Sequence, residues 1–209
     1  MKDIKIGAPE DNQVQESEAK VSGRSWFEPA GRFIWDLSKV LILSLVIIIP
    51  IRYFFFQPFV VSGSSMEPNF SNGDYLIIDE ITYRLSEPKR GEVVVMRFPG
   101  DTSQFFIKRI IGLPGEKITI EDGTVQVRTS DDTFVLQEIY LARGTRTTGN
   151  TELTLDEDEY FVLGDNRSAS SDSRSWGPLL RDNIIGRAWL RLLPLDELSL
   201  IPQPAYGIR

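Results

Sequence analysis

A long apolar run near the N-terminus constrains this chain more than any other feature. It reads SKVLILSLVIIIPIRYFFF and occupies residues 38–56. At about 1.5 Å per residue, a helix of this length spans roughly 29 Å, close to the thickness of a hydrocarbon core. The run therefore predicts a single transmembrane anchor. The polar residues before it, 1–37, are predicted to form a flexible tail, because they contain few large apolar groups to bury.

Two other interpretations of the run stay open. A buried core helix can be equally apolar. A cleavable signal peptide also contains an apolar segment, although here bulky FFFQPFVV follows the run instead of a small-residue cleavage pattern. Arg24, Arg32 and Lys39 flank the inner end and only Arg52 lies near the outer end. This bias predicts a single-pass protein of the plasma (inner) membrane with its N-terminus in the cytoplasm.

The composition excludes several functional classes. The chain has 209 residues and contains no Cys and no His, so disulfides, thiolate nucleophiles, imidazole bases and the usual zinc sites are excluded. We expect neither a metal nor another cofactor. The formal net charge of −7, with no basic stripe, argues against nucleic acid as a partner.

Short β-rich segments separated by turn signals fill the sequence after residue 57. DYLIIDEI, GEVVVMRF and KITIEDGTVQVRT are typical of strands, and Asn72-Gly73, Pro114-Gly115 and Asp122-Gly123 indicate turns. Neither a repeat of fixed period nor an alternation with long helices is present. We expect a mainly β domain over residues 57–209 with an antiparallel, coiled or barrel-like sheet. A small β insertion is expected over 117–158.

The stretch SGSSMEP, residues 62–68, raises the question of a serine nucleophile. Because the chain has no histidine, the base has to be another side chain, and a lysine in an apolar setting is the best candidate. Three lysines follow residue 57, and Lys89 and Lys117 lie in polar or turn-like surroundings. Lys108 instead interrupts the apolar stretch FFIKRII. The other interpretation is that its stem covers apolar surface while its amine lies in water.

The stretch GDNRSASSDSRSWG, residues 164–177, has a composition typical of a solvated turn when taken alone. It nevertheless completes an ordered set, since an apolar run is followed by SGSSMEPNF, GDYLIIDE, RGEVVVMRFP, FIKRIIGLPGE and this stretch. In this order and spacing the sequence resembles the type I signal peptidases, which are membrane-anchored serine proteases with a Ser/Lys dyad. The resemblance covers most of residues 38–195 and implies an extracytoplasmic protease domain after the anchor.

The resemblance also implies the site residues. Ser65 matches the nucleophile and Lys108 the general base. Ser170 matches a serine that donates a hydrogen bond to the lysine, and Asp172 and Arg174 match an ion pair that shapes the site.

The implied substrates are exported preproteins at the lipid bilayer, cut after a small residue in an Ala-x-Ala-like pattern. Gly63 stands where some members of the family carry a serine that helps to hold the oxyanion, so the second oxyanion donor is left open. Shallow apolar pockets suit small side chains, and the matching pocket positions are Phe59, Val61, Met66, Phe70, Leu76, Val95, Phe106 and Ile107. For each of these residues, a place in the hydrophobic core is an equally open interpretation.

Two other functions are considered. A self-cleaving repressor-type protease shares the Ser/Lys chemistry but has no membrane anchor. A non-catalytic, membrane-anchored β module would bind a partner outside the membrane, and replacing Lys108 by Met would leave its activity unchanged.

Overall fold

One long α-helix, α1, precedes all of the β-structure. In a computed structural model of the chain, the structure describes residues 27–54 and 56–202, and α1 spans Phe27–Phe54. Residues 27–37 are therefore helical rather than part of a flexible tail. Pro29 lies in the first turn, where the N–H that proline lacks would have no helical partner. The remaining residues of the predicted tail, 1–26, lie outside the described residues.

The chain divides into two compact units, with the boundary between Leu45 and Val46, inside α1. In the first unit, the apolar side chains from Phe33 to Leu45 are exposed. No helix within the described residues has both the length and the apolarity needed to cross a membrane. All of the strands within the described residues belong to the second unit.

The second unit contains two antiparallel sheets. In chain order its strands are β1 (Phe56–Val60), β2 (Tyr75–Asp79), β3 (Val93–Phe98), β4 (Asp101–Gly112), β5 (Lys117–Glu121), β6 (Thr124–Arg128), β7 (Thr133–Val135), β8 (Thr151–Thr154), β9 (Glu159–Leu163), β10 (Leu179–Leu180), β11 (Ile184–Leu193) and β12 (Ser199–Leu200). The short helices are α2 (Thr82–Leu85) and α3 (Ser173–Trp176), with single 3₁₀ turns at Arg181–Asn183 and Leu195–Glu197.

The larger sheet is open. Its eight strands run in the order β1-β2-β11-β3-β4-β9-β10, and β12 pairs with β11. The expected mainly β, antiparallel architecture is confirmed. The expected barrel-like closure is not found among the described strands, because β1 and β10 end the order and do not pair with each other. Strand β10 has only two residues and offers too few backbone groups to close a ring.

The centre of the larger sheet is buried on both faces. Strand β3 lies between β11 and β4, and its residues Val93 to Met96 are all buried. Since successive side chains point to opposite faces, Val93 and Val95 belong to one core cluster and Val94 and Met96 to another. Strand β4 follows the same alternation, and Lys108 pairs with Val94 in it.

The expected insertion over 117–158 is a small sheet with the order β7-β6-β5-β8. Asp122 and Gly123 join β5 to β6 with φ of 52° and 81°, the positive values that a tight type I′ hairpin requires. A third core cluster joins Ile118 of this sheet to Phe161 of β9. The small sheet is therefore anchored on the larger one by apolar burial.

Candidate active site

Ser65 and Lys108 meet beside a cleft. Ser65 lies in the loop between β1 and β2, here called the serine loop, residues 61–74, while Lys108 lies in β4. Lys108 Nζ is 2.9 Å from Ser65 Oγ and also donates a hydrogen bond of 2.9 Å to the carbonyl oxygen of Ile107. Lys108 is only 3% exposed, whereas Ser65 is partly exposed. A buried amine thus contacts a hydroxyl that a ligand can reach.

Burial shifts the protonation equilibrium of the lysine. It lowers the pKa of Lys108 from 10.5 to about 8, although the negative charges of Asp172 and Asp165 act in the opposite direction. The ring of Phe106 lies 5.2 Å from Nζ and replaces water on one side of the amine. At pH 7 about one amine in eleven is neutral when its pKa is 8, against about one in 3,000 at the ordinary value. The geometry therefore supports a lysine that can accept a proton.

The serine loop is held by bonds to its own closing turn. Val61 N–H donates to Asp74 O at 2.9 Å, and Gly63 N–H donates to Asn72 Oδ1 at 2.9 Å. Gly63 has φ of +92°, which residues with a side chain rarely adopt. The N–H of Ser65 has no hydrogen-bond acceptor within the described part of the chain, so it can donate to an oxyanion.

The second loop of the site, residues 164–172, is here called the asparagine loop. Asn166 N–H donates to Ser65 O at 3.0 Å, and Asn166 Nδ2 donates to Ser64 O at 3.0 Å. Next to it, Asp165 accepts bonds of 2.8 and 2.6 Å from Arg109, and both side chains are buried. Sequence reasoning did not single out Asn166, and the GDNR motif was the only signal that pointed to it.

The predicted ion pair at the end of the asparagine loop is present. The Asp172 carboxylate accepts bonds of 2.8 Å from Nε and from Nη2 of Arg174. It also accepts from the N–H of Gly164 at 3.1 Å, and it caps α3. Asp172 is completely buried, so its charge is compensated by these donors.

Ser170 lies close to the site without the expected hydrogen bond to Lys108. Its Oγ is buried and has no hydrogen-bond partner among the described residues. The hydroxyl instead occupies the space beside Gly164, where a Cβ atom on that glycine would collide with it. The side chains that line the cleft from this loop are Ala169 and Ser171, neither of which had been predicted as a pocket residue.

The cleft has a volume of about 290 Å³ and apolar walls around the serine and lysine. Six of the predicted pocket residues line it, namely Phe59, Val61, Leu76, Val95, Phe106 and Ile107. Gly63 lines it as well, and so do Val60 and Phe105, which had not been predicted. Met66 and Phe70 do not line the cleft, and their assignment as pocket residues is wrong. They are 0% and 3% exposed and belong to the core cluster below the site.

The chain is similar to several known proteins. The family described as signal peptidase, peptidase S26, matches residues 34–193. A probable signal peptidase I-2 of Synechocystis sp. is 37% identical over 176 residues, which cover 81% of this chain and 78% of that protein. Signal peptidase I T of Bacillus subtilis is 30% identical over 200 residues, covering 90% and 96%. The crystal structure of a signal peptidase I from Enterococcus faecalis V583 aligns with 30% identity and a TM-score of 0.42, covering 49% of this chain and 97% of that one.

Proposed function

The chain belongs to the signal peptidase family, peptidase S26, and on that premise we propose that Ser65 is its nucleophile and Lys108 its general base. It is a serine endopeptidase that removes signal peptides from preproteins. One observation carries the residue assignment, namely the 2.9 Å separation between Ser65 Oγ and a lysine amine that is 3% exposed.

In the proposed first half-reaction, neutral Lys108 accepts the proton of Ser65 Oγ–H while Oγ attacks the scissile carbonyl carbon. The N–H of Ser65 donates to the oxyanion that forms. The protonated amine of Lys108 then gives its proton to the leaving nitrogen, and the C–N bond breaks. In the second half-reaction water attacks the acyl ester, Lys108 accepts its proton, and Ser65 recovers its hydroxyl as the acid leaves.

Two features support a peptide substrate with small side chains before the cut. The walls of the cleft beside Ser65 are apolar, so they suit small apolar side chains better than charged ones. Strand β4 pairs with β9 only from Arg109 to Gly112, and no described strand pairs with that edge before Arg109. An extended peptide can add to such an edge by main-chain hydrogen bonds. We propose that the signal peptide binds there.

We also propose that residues 38–56 anchor the protein in the plasma membrane, with the N-terminus in the cytoplasm and residues 57–209 outside. The length and apolarity of this run in the sequence support the anchor, and the bias of Arg24, Arg32 and Lys39 over Arg52 supports the orientation. Signal peptidases I are in general membrane-associated. A tether of this kind raises the effective concentration of membrane-bound substrate at the site.

The assignment is tested with the purified full-length protein in detergent and a preprotein substrate. We expect Ser65→Ala and Lys108→Met each to lower kcat/KM by roughly three orders of magnitude or more. Lys89→Met is the matched control, because it removes an exposed lysine that does not line the cleft, and it should cleave at the wild-type rate. Cleavage by Ser65→Ala at the wild-type rate would refute the assignment. Circular dichroism checks that each variant is folded.

A further inference from the structure

A second cavity, here called the exit cavity, lies next to the catalytic cleft. It has a volume of about 440 Å³. Seven of its nine lining residues are polar or charged. The lining residues are Glu67, Pro68, Ala142, Thr145, Arg146, Asp165, Asn166, Arg167 and Ser168.

The same two loops line both cavities, one after the other. The serine loop supplies residues 61–65 to the cleft and residues 67–68 to the exit cavity. The asparagine loop supplies residues 165–168 to the exit cavity and then Ala169 and Ser171 to the cleft. The loops are joined where the backbone of Asn166 contacts that of Ser65. The two cavities therefore lie on either side of the nucleophile.

We propose that the exit cavity binds the first residues of the mature protein, those that follow the cleaved bond, and that Arg146 selects an acidic side chain there. This inference rests on Ser65 as the nucleophile. The residues before the cut occupy the apolar cleft, so a peptide that continues past Ser65 enters the exit cavity.

The charges of the cavity indicate which side chain makes the selection. Asp165 is buried and paired with Arg109, and Arg167 is buried and paired with Glu138. Arg146 and Glu67 are exposed, and neither has an ion-pair partner within residues 27–54 and 56–202. Glu67 is two residues from the nucleophile and repels a negative charge close to the cut. The preference is therefore expected further along the mature chain.

Arg146 is held in place by the hairpin of the small sheet. Its stem carbons lie 3.1 Å from the position that a Cβ atom on Gly123 would take. The neighbouring Thr147 N–H donates to Gly123 O at 3.0 Å. A stem packed on a rigid turn loses less conformational freedom when its guanidinium binds a carboxylate. The small sheet thereby contributes a specificity residue to the exit cavity.

The test uses peptides with one identical signal segment and either Asp or Lys at one of the second to fifth positions after the cut. The full-length protein in detergent cleaves them, and kcat/KM is measured for each peptide. We expect the wild type to prefer Asp over Lys by about two- to fivefold at one or more positions, the size of an exposed ion pair. The preference should shrink in about 0.5 M NaCl. Arg146→Gln should remove it and Arg146→Glu should reverse it.

Arg143→Glu is the matched control, because Arg143 is exposed in the same segment but does not line the cavity. It changes the net charge as much as Arg146→Glu does and should keep the wild-type preference. The inference is overturned if wild type and Arg146→Glu show the same Asp-to-Lys ratio, or if Arg143→Glu shifts that ratio equally. If the proposed function is wrong, a different result is expected: the wild type cleaves none of the peptides, or Ser65→Ala still cleaves them.

Discussion

The rate of cleavage should rise with pH and level off above pH 8. Only the neutral amine of Lys108 can accept the serine proton, and burial lowers its pKa to about 8. The neutral fraction is then about 3% at pH 6.5 and about 90% at pH 9, a roughly 30-fold change. Below pH 8 the rate should increase about tenfold per pH unit.

The measurement is kcat/KM of the full-length protein in a nonionic detergent from pH 6 to 10, on a peptide with no group that titrates in that range. For a lysine with its ordinary pKa of 10.5, the rate would continue to rise about tenfold per unit through pH 9.5. Such a profile would show that the amine is not buried in solution. A profile that is flat over the whole range would refute Lys108 as the base. Lys89→Met is the control and should keep the wild-type profile.

Three further outcomes are expected. The pKa of Lys108 is lower in the folded state than in the unfolded state, so burial of its charge destabilises the fold fully below pH 8 and progressively less up to pH 10.5. Lys108→Met should therefore raise the free energy of unfolding in urea by about 3 kcal/mol at pH 6, and this gain should be about 2 kcal/mol smaller at pH 9.5. An equal gain at both pH values would contradict this. Gly164→Ala should lower kcat/KM at least about tenfold, because the Cβ atom of the alanine would lie 2.5 Å from Ser65 O and displace the serine loop. Unchanged activity would show that the two loops accommodate the extra atom without moving Ser65. Glu138→Gln leaves the buried guanidinium of Arg167 without its carboxylate, so the free energy of unfolding of this variant should be about 1–3 kcal/mol lower than that of the wild type. An unchanged free energy of unfolding would show that the pair does not form in solution.

The small sheet also has a structural connection to the catalytic loops. Asn69 Nδ2 donates to Tyr140 O at 2.9 Å and to Asp165 Oδ2 at 2.8 Å. The guanidinium of Arg109 lies 4.0 Å from the centre of the Tyr140 ring, so this tyrosine packs on the larger sheet. The insertion therefore supports the loop that carries Asp165, which is next to Asn166 and the nucleophile.

Local patterns in the sequence determined the mainly β architecture, the Asp122-Gly123 hairpin and the choice of Lys108. Each depends on neighbours in the chain, since period-two alternation and turn residues act over a few positions. Lys108 interrupts an apolar stretch, and in the structure it is buried in β4. The start of α1 at Phe27 was missed because the apolar run begins later than the helix.

The tertiary structure alone decided which apolar residues face the cleft and which fill the core. Phe59 and Phe70 carry the same side chain in neighbouring stretches, yet one lines the cleft and the other is buried below it. It also decided that the hydroxyl of Ser170 lies beside Gly164 and not on the lysine amine. These distinctions arise where segments that are distant in the sequence pack against each other. The pattern of residues within one segment does not predict the shape of the surface that the other segment presents to it.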